Sequence, residues 1–116
     1  MLVIEDNEDA AEGLRVALAL GNHEVLVVGD GARALAVARD FRPDVVLCDI
    51  SLPGMTGYAV ARAFRSDEQL ATVHLVALTG RVRPADLRDA REAGFDQHLA
   101  KPIGLEELEA LLASLP

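Results

Sequence analysis

The chain has 116 residues, of which 51% are hydrophobic, and its formal net charge is −8 at pH 7. This length and composition predict one folded domain with a buried core rather than a disordered chain. The acidic balance argues against direct nucleic-acid binding, which depends on Lys and Arg. No apolar stretch reaches the ~20 residues of a membrane span, and no signal peptide precedes the first apolar run, so no membrane insertion is expected. The lone Cys48 fits a buried thiol in a reducing, cytoplasmic compartment.

Five short apolar runs alternate along the chain with segments of helical periodicity. The runs predict strands at Leu2–Glu5, Glu24–Val28, Asp44–Cys48, Val73–Leu78 and Phe95–Leu99. The third run is continuously apolar, which favours a strand buried on both faces. In the intervening segments, apolar residues recur three or four positions apart, as in amphipathic helices.

Boundary residues support these helices. Gly21 predicts the end of the first helix, and Asp30 and Pro43 predict the N-cap and the end of the second. Pro84 and Gly94 bracket the fourth helix in the same way. The fifth helix has the strongest periodicity in the chain, through Leu105, Leu108, Leu112 and Leu115.

A regular alternation of strands and helices predicts an α/β fold, with a doubly wound parallel sheet covered by helices on both faces. In such sheets, ligands bind outside the carboxyl ends of the strands. Glu5, Asp6, Asp49, Thr79 and Lys101 each end or follow a predicted strand. We therefore expect these five residues to share one edge of the sheet.

The residue types at this edge are those of a metal-dependent phosphate site. Carboxylates are hard ligands for Mg²⁺, which shares its shell with phosphate oxygens, and three neighbouring acids without a cation would repel one another. A Thr hydroxyl can bond a phosphoryl oxygen, and a Lys can offset its charge. Taken singly, each of these residues is more commonly a solvated loop or turn residue. Their expected co-location favours the site.

Five segments occur in the order typical of a response-regulator receiver domain: Ile4-Glu5-Asp6-Asn7, Asp44 to Asp49, Leu52-Pro53-Gly54-Met55-Thr56-Gly57, Ala77-Leu78-Thr79-Gly80 and Lys101-Pro102. The chain resembles this family over its whole length. The resemblance implies a flavodoxin-like (βα)5 fold with strand order 2-1-3-4-5. It also implies a single receiver domain over residues 1–116, with no output domain in this chain.

The resemblance also assigns roles to site residues. Asp49 resembles the phosphoacceptor, while Glu5, Asp6, Asp49 and the backbone carbonyl of Ser51 would bind Mg²⁺, which Mn²⁺ can replace. Thr79 would be the switch hydroxyl and Lys101 the phosphate-contacting lysine. The peptide bond before Pro102 is expected to be cis.

Two positions depart from the family pattern, and two others flank the expected water path. Glu5 stands where the family usually has Asp, and it still supplies a carboxylate on a longer arm. His98 replaces the usual Tyr or Phe, so it is either a pH-sensitive switch residue or a tolerated surface residue. Ser51 and Arg81 would tune dephosphorylation.

By resemblance the chain is a phosphoacceptor and not an enzyme, and its donor is a sensor histidine kinase or a histidine phosphotransfer domain. The first helix near Asn7–Leu14 is a candidate kinase contact. The candidate output face is formed by the fourth helix, the fifth strand and the fifth helix, from 84–93 to 105–115. The output partner is not predicted, and a stand-alone receiver and the receiver of a hybrid kinase both stay open.

The alternative is a haloacid-dehalogenase-type Mg²⁺-dependent phosphatase, which also uses an Asp after a buried strand. That family carries a second Asp two residues later, where this chain has Ser51. A flavin- or nucleotide-binding module is disfavoured by the acidic segment 5–9, which would repel phosphate. A receiver-like domain that works without phosphorylation is disfavoured because the key site positions are filled.

Overall fold

The computed structural model describes residues 1–52, 54–80 and 83–114. Ten elements alternate along the chain, and their bounds are β1 Leu2–Ile4, α1 Glu8–Leu20, β2 Leu26–Val28, α2 Gly31–Phe41, β3 Val45–Asp49, α3 Gly57–Ser66, β4 His74–Thr79, α4 Pro84–Ala93, β5 Gln97–Ala100 and α5 Leu105–Ala113. All strand pairs are parallel, in the order β2-β1-β3-β4-β5. The predicted flavodoxin-like doubly wound sheet is therefore confirmed.

Strand residues alternate between two separate hydrophobic clusters, one on each face of the sheet. In β3, Val46 and Cys48 pack with α2, α3 and α4, whereas Val45 and Leu47 pack with α1 and α5. Every residue of β3 is buried, as its continuous apolar run predicted. The sheet therefore separates an α1/α5 face from an α2/α3/α4 face.

Side-chain caps begin several helices. Asn7 accepts a hydrogen bond from the backbone N–H of Ala10 at 2.9 Å, and the predicted N-cap Asp30 accepts one from Ala32 at 2.7 Å. At the other ends, Gly21 and Gly94 are C-caps as predicted, and Gly94 has a φ of 123° that favours glycine. Among the described residues, no helix is long and apolar enough to cross a membrane.

The strand boundaries differ from prediction by one or two residues, and turn hydrogen bonds explain the later starts of β4 and β5. β5 begins at Gln97 rather than Phe95, because the Phe95 N–H caps α4 by donating to the Ala90 carbonyl at 3.1 Å. β4 begins at His74, because the Val73 N–H donates to the Leu70 carbonyl in a turn. The prediction of strands follows runs of apolar residues, and these runs extend into the turns, where the strands are no longer paired.

The first turn of α3 packs directly on the end of β3. A Cβ added at Gly57 would lie 2.6 Å from both the Asp49 carbonyl oxygen and the Ile50 Cα. The Gly57 N–H also donates to the Ile50 carbonyl at 2.9 Å. Gly57 therefore fixes how the segment after Asp49 folds back.

Gly57→Ala should destabilise the domain by about 1 to 3 kcal/mol, because backbone atoms must move to admit the methyl group. Urea unfolding measures this change. Gly13→Ala is the matched control, since a Cβ at Gly13 meets nothing within 4 Å, and it should stabilise α1 by about 0.5 to 1 kcal/mol. Equal stabilities for the two variants would contradict the close approach.

Candidate functional site

The carboxyl ends of four neighbouring strands bring the expected polar residues to one edge of the sheet. Glu5 directly follows β1, and Asp49 is the last residue of β3. Thr79 is the last residue of β4, and Lys101 directly follows β5. Since β1, β3, β4 and β5 are consecutive in the sheet, their ends form a continuous rim. The expected co-location is confirmed.

Three carboxyl groups form a cluster at this rim. One oxygen from each of Glu5, Asp6 and Asp49 lies within 4.8 Å of the other two. Glu5 and Asp49 are 2% and 5% exposed, whereas Asp6 is exposed. The Glu5 backbone N–H donates to the Val28 carbonyl at 3.0 Å, which holds the first acid against β2. Such a set of hard oxygen donors, open on one side, can hold a divalent cation.

Lys101 lies between the two buried acids. Its Nζ is 2.9 Å from Oε1 of Glu5 and 3.0 Å from Oδ2 of Asp49. Its backbone N–H donates to the Thr79 carbonyl at 2.8 Å, and its peptide bond with Pro102 is cis. The side chain is 32% exposed, so the ammonium group is only partly hydrated.

The second oxygen of Glu5 is left without a partner. Oε2 is buried and accepts no hydrogen bond within the described part of the chain. A buried acceptor of this kind costs free energy unless something satisfies it. Because it belongs to the three-acid cluster, a cation is a chemically suitable partner.

Asp49 is held by both of its oxygens. Oδ1 accepts a hydrogen bond from the Ser51 N–H at 3.0 Å, while Oδ2 contacts Lys101. Ser51 itself is exposed and lies two residues beyond Asp49 in the chain. The carboxylate is thus fixed in orientation while the edge next to it stays open.

Interactions within the cluster shift the pKa values of its two buried acids in opposite directions. Burial, reinforced by the neighbouring carboxylate of Asp49, raises the pKa of Glu5 to about 7 against the pull of Lys101. Burial also opposes ionisation of Asp49, but the neighbouring Glu5 carboxyl group, the Ser51 N–H and Lys101 outweigh it and lower the Asp49 pKa. Burial opposes the charge on Lys101, and its two carboxylate partners outweigh that effect and raise its pKa. Near neutral pH, Asp49 therefore carries the negative charge and Glu5 takes up a proton readily.

Thr79 and His98 belong to the other face of the sheet. By strand alternation, Thr79 shares the side of Ala77, which packs in the α2/α3/α4 cluster, and His98 lies opposite Ala77 on β5. Thr79 is 6% exposed, whereas His98 is exposed and is not among the residues that line the cavity beside the acids. Arg81, the other predicted tuning residue, lies outside the described residues.

A groove between α1 and α5 opens next to the acids, and sequence reasoning did not predict it. Its volume is about 810 Å³, and its walls include the small residues Ala10, Gly13 and Ala17 together with Ile103 and Leu108. Small residues spaced three or four apart on α1 are the signal that could have revealed it.

Comparisons with known proteins agree with this geometry. The family described as the response regulator receiver domain matches residues 1–113. The DNA-binding response regulator MtrA of Mycobacterium tuberculosis is 38% identical over 110 residues, which are 95% of this chain and 47% of MtrA. The transcriptional regulatory protein KdpE of the same species is 34% identical over 112 residues, or 97% of this chain and 48% of KdpE. The chain thus spans about half the length of the curated relatives it matches.

Solved structures give the same result. The receiver domain of the sensor histidine kinase PA1611 from Pseudomonas aeruginosa has a TM-score of 0.88 and 32% identity, over 96% of this chain and 91% of that one. That structure has a magnesium ion coordinated in its active-site cleft. The chemotaxis response regulator CheY4 of Vibrio cholerae has a TM-score of 0.92 and 29% identity, over 98% and 96% of the two chains.

Replacing Glu5 by Gln should change stability in a pH-dependent way when divalent cations are chelated. The Glu5 pKa is raised on folding, so its contribution is fully present below about 4.5 and is lost as the pH rises through about 7. Gln stays neutral throughout, so the stability of Glu5→Gln relative to wild type should increase by about 1 to 3 kcal/mol between pH 5 and pH 8. Urea unfolding at several pH values measures the difference. The exposed Glu68→Gln is the control, and a pH-independent difference for Glu5→Gln would contradict the burial penalty.

Proposed function

This chain belongs to the response regulator receiver domain family of two-component signalling, and we propose that it accepts a phosphoryl group on Asp49 from the phosphohistidine of a sensor kinase or a histidine phosphotransfer domain. The observation that carries the proposal is the placement of Asp49. It is a buried, ionised carboxylate at a strand end, 3.0 Å from a lysine ammonium and beside two further acids.

The residues at the rim suit Mg²⁺. Glu5, Asp6 and Asp49 would supply carboxylate oxygens and Ser51 a backbone carbonyl, and the unpartnered Glu5 Oε2 is a buried acceptor that such an ion would satisfy. The PA1611 receiver, which is 32% identical, has magnesium in its cleft. When bound, Mg²⁺ supplies positive charge that offsets the acids and the incoming phosphoryl group, and Mn²⁺ can take the same hard oxygen ligands.

The transfer itself needs orientation and charge compensation from this chain. An Asp49 oxygen attacks the phosphorus, the bond between phosphorus and the donor imidazole nitrogen breaks, and the imidazole leaves with that electron pair. The Ser51 N–H fixes one Asp49 oxygen at 3.0 Å, and Lys101 offsets charge on the other. Catalysis is then mostly positioning and electrostatics, which is what phosphoryl transfer requires.

The proposed response passes to the opposite face of the sheet. Thr79 ends β4, which is the strand next to β3 in the sheet, and its hydroxyl is proposed to sense the new phosphoryl group on Asp49. His98 shares that face and is exposed, where it can couple the site to an output surface on α4, β5 and α5. Ser51 and Arg81 are proposed to set the rate at which water removes the phosphoryl group.

A receiver domain is a phosphoacceptor signalling module rather than a turnover enzyme. A phosphatase of the haloacid-dehalogenase type would place a general acid two residues after the nucleophile. That position is held here by the exposed Ser51, which has no carboxyl group. The aspartyl phosphate proposed here is therefore a signal rather than a turnover intermediate.

The groove between α1 and α5 is the proposed docking site for the kinase. It opens onto Asp49, and its apolar walls fit a helix carrying a stripe of apolar residues. The exposed acids Glu8, Asp9 and Glu12 of α1 would favour a partner with basic residues beside that stripe.

Asp49→Asn should abolish labelling by acetyl phosphate in the presence of Mg²⁺, because the amide cannot act as the acceptor. Asp40→Asn, an exposed change on α2, should be labelled like wild type. EDTA should prevent labelling of wild type and of Asp40→Asn. Intact-mass spectrometry and radiolabelled acetyl phosphate provide the measurement. Persistent labelling of Asp49→Asn would remove Asp49 from this role, and many turnovers per site on external phosphoesters would favour the phosphatase alternative.

Gly13→Gln should separate docking from chemistry. Gly13 lines the groove and a Cβ there meets nothing within 4 Å, so the Gln side chain should obstruct the docked partner, and transfer from a phosphorylated histidine phosphotransfer domain should fall by about tenfold or more. Labelling by acetyl phosphate, which needs no docking, should stay unchanged. Ala36→Gln on the exposed side of α2 is the matched control. Equal losses with both phosphodonors would show that Gly13 affects the site and not the partner.

A further inference from the structure

A second polar network lies at the end of the sheet opposite the acids and is centred on Arg65 in the last turn of α3. Its guanidinium donates to the backbone carbonyls of Gly94 at 2.9 Å, Ala71 at 2.8 Å and Val73 at 2.6 Å. It also donates to Oδ2 of Asp96 at 2.8 Å. One side chain therefore joins α3 to the segment before β4, to the end of α4 and to the segment before β5.

The partners of Arg65 are shaped to receive it. Gly94 has a φ of 123°, and a Cβ there would lie 2.7 Å from Cγ of Arg65. Asp96 accepts the Leu75 N–H at 2.9 Å and donates its own N–H to the Leu75 carbonyl at 2.8 Å. The planar fork of Arg can serve several acceptors at once, which a Lys ammonium on a flexible stem does not reproduce.

This network holds only one end of α4. The C-terminal half contributes the buried Ala90 and Ala93, and the N–H groups of Gly94 and Phe95 donate to the Ala90 carbonyl. The N-terminal half, from Pro84 to Asp89, has no buried residue, and its N-cap Arg83 makes no capping hydrogen bond through its side chain. The loosely held end of α4 is the end that follows Thr79 in the chain.

We propose that Arg65 is a positioning residue that anchors the C-terminal end of α4 and the entry of β5, so that the response to phosphorylation is confined to the site-proximal half of α4. This inference rests on the proposed function, because it concerns how a signal from Asp49 is transmitted. Without the anchor, α4 shifts as a whole and the change at Thr79 spreads into residues 91–97. With the anchor in place, α4 is fixed at its C-terminal end and moves at its N-terminal end.

Amide hydrogen exchange of wild type, Arg65→Met and Arg65→Lys tests the anchor, with and without Mg²⁺ and beryllofluoride as a phosphoryl mimic. Without the mimic, the amides of Leu75, Phe95 and Asp96 should exchange at least about tenfold faster in Arg65→Met, since hydrogen bonds to charged groups are lost. Arg65→Lys, which keeps the charge but not the fork, should recover only part of this protection. The exposed Arg62→Met, one turn earlier on α3, is the control and should match wild type.

With the mimic, wild type should change exchange in residues 83–89 and not in 91–97, whereas in Arg65→Met the change should extend into 91–97. Unaltered protection of Phe95 and Asp96 in Arg65→Met would overturn the proposal, as would a mimic response of the same extent in both proteins. Acetyl phosphate labelling of Asp49 should be equal in all these proteins. If Asp49 of wild type is not labelled, the proposed function is contradicted. The amide exchange measured without the mimic still tests the anchor in that case.

Discussion

The structure of the site depends on the ammonium group of Lys101, which lies between the buried carboxyl groups of Glu5 and Asp49. Neither acid could stay at the end of a buried strand as an isolated charge, because burial without a partner costs far more than one hydrogen bond returns. One lysine cannot neutralise three acids. Part of the remaining negative charge is neutralised by the proton that Glu5 readily accepts. The negative charge that is left makes the cluster chemically suitable for a cation.

Competition between these charges also determines which oxygen contacts Lys101 and which acid stays ionised. Oε1 of Glu5 is occupied by Lys101 while its Oε2 has no partner, so a single side chain can hold the lysine and still offer an oxygen to a metal. The side chain of Glu is longer than that of Asp, which allows its carboxyl group to reach Lys101 with one oxygen and a metal with the other. Asp49 keeps the negative charge, which is the state that its proposed role as phosphoacceptor needs.

Sequence patterns predicted the fold and the co-location of the strand-end residues, because both follow from local signals. Apolar runs, caps and strand-end carboxylates are each visible over a few residues, and the topology of a parallel sheet brings the strand ends together. The Arg65 network could not be predicted in this way. Its acceptors are carbonyls of Ala71, Val73 and Gly94, and backbone groups carry no residue-type signal. The sharing of Glu5, with one carboxyl oxygen on Lys101 and the other without a partner in the described part of the chain, likewise depends on tertiary geometry that no local pattern encodes.

Strand alternation in β3 has a consequence for how this chain can change over evolution. Asp49 is two residues beyond Leu47, so it shares the α1/α5 side with Glu5 and Lys101, while Thr79 and His98 share the parity of Ala77 on the opposite side. The proposed phosphoacceptor and the proposed switch residues therefore lie on different faces of the sheet, according to their odd or even positions along the strands. Substitutions within β3 leave that count intact, whereas inserting or deleting one residue inverts it and turns the carboxylate toward the wrong helices. Strand length is therefore under stricter constraint than the identity of most of the residues that fill it.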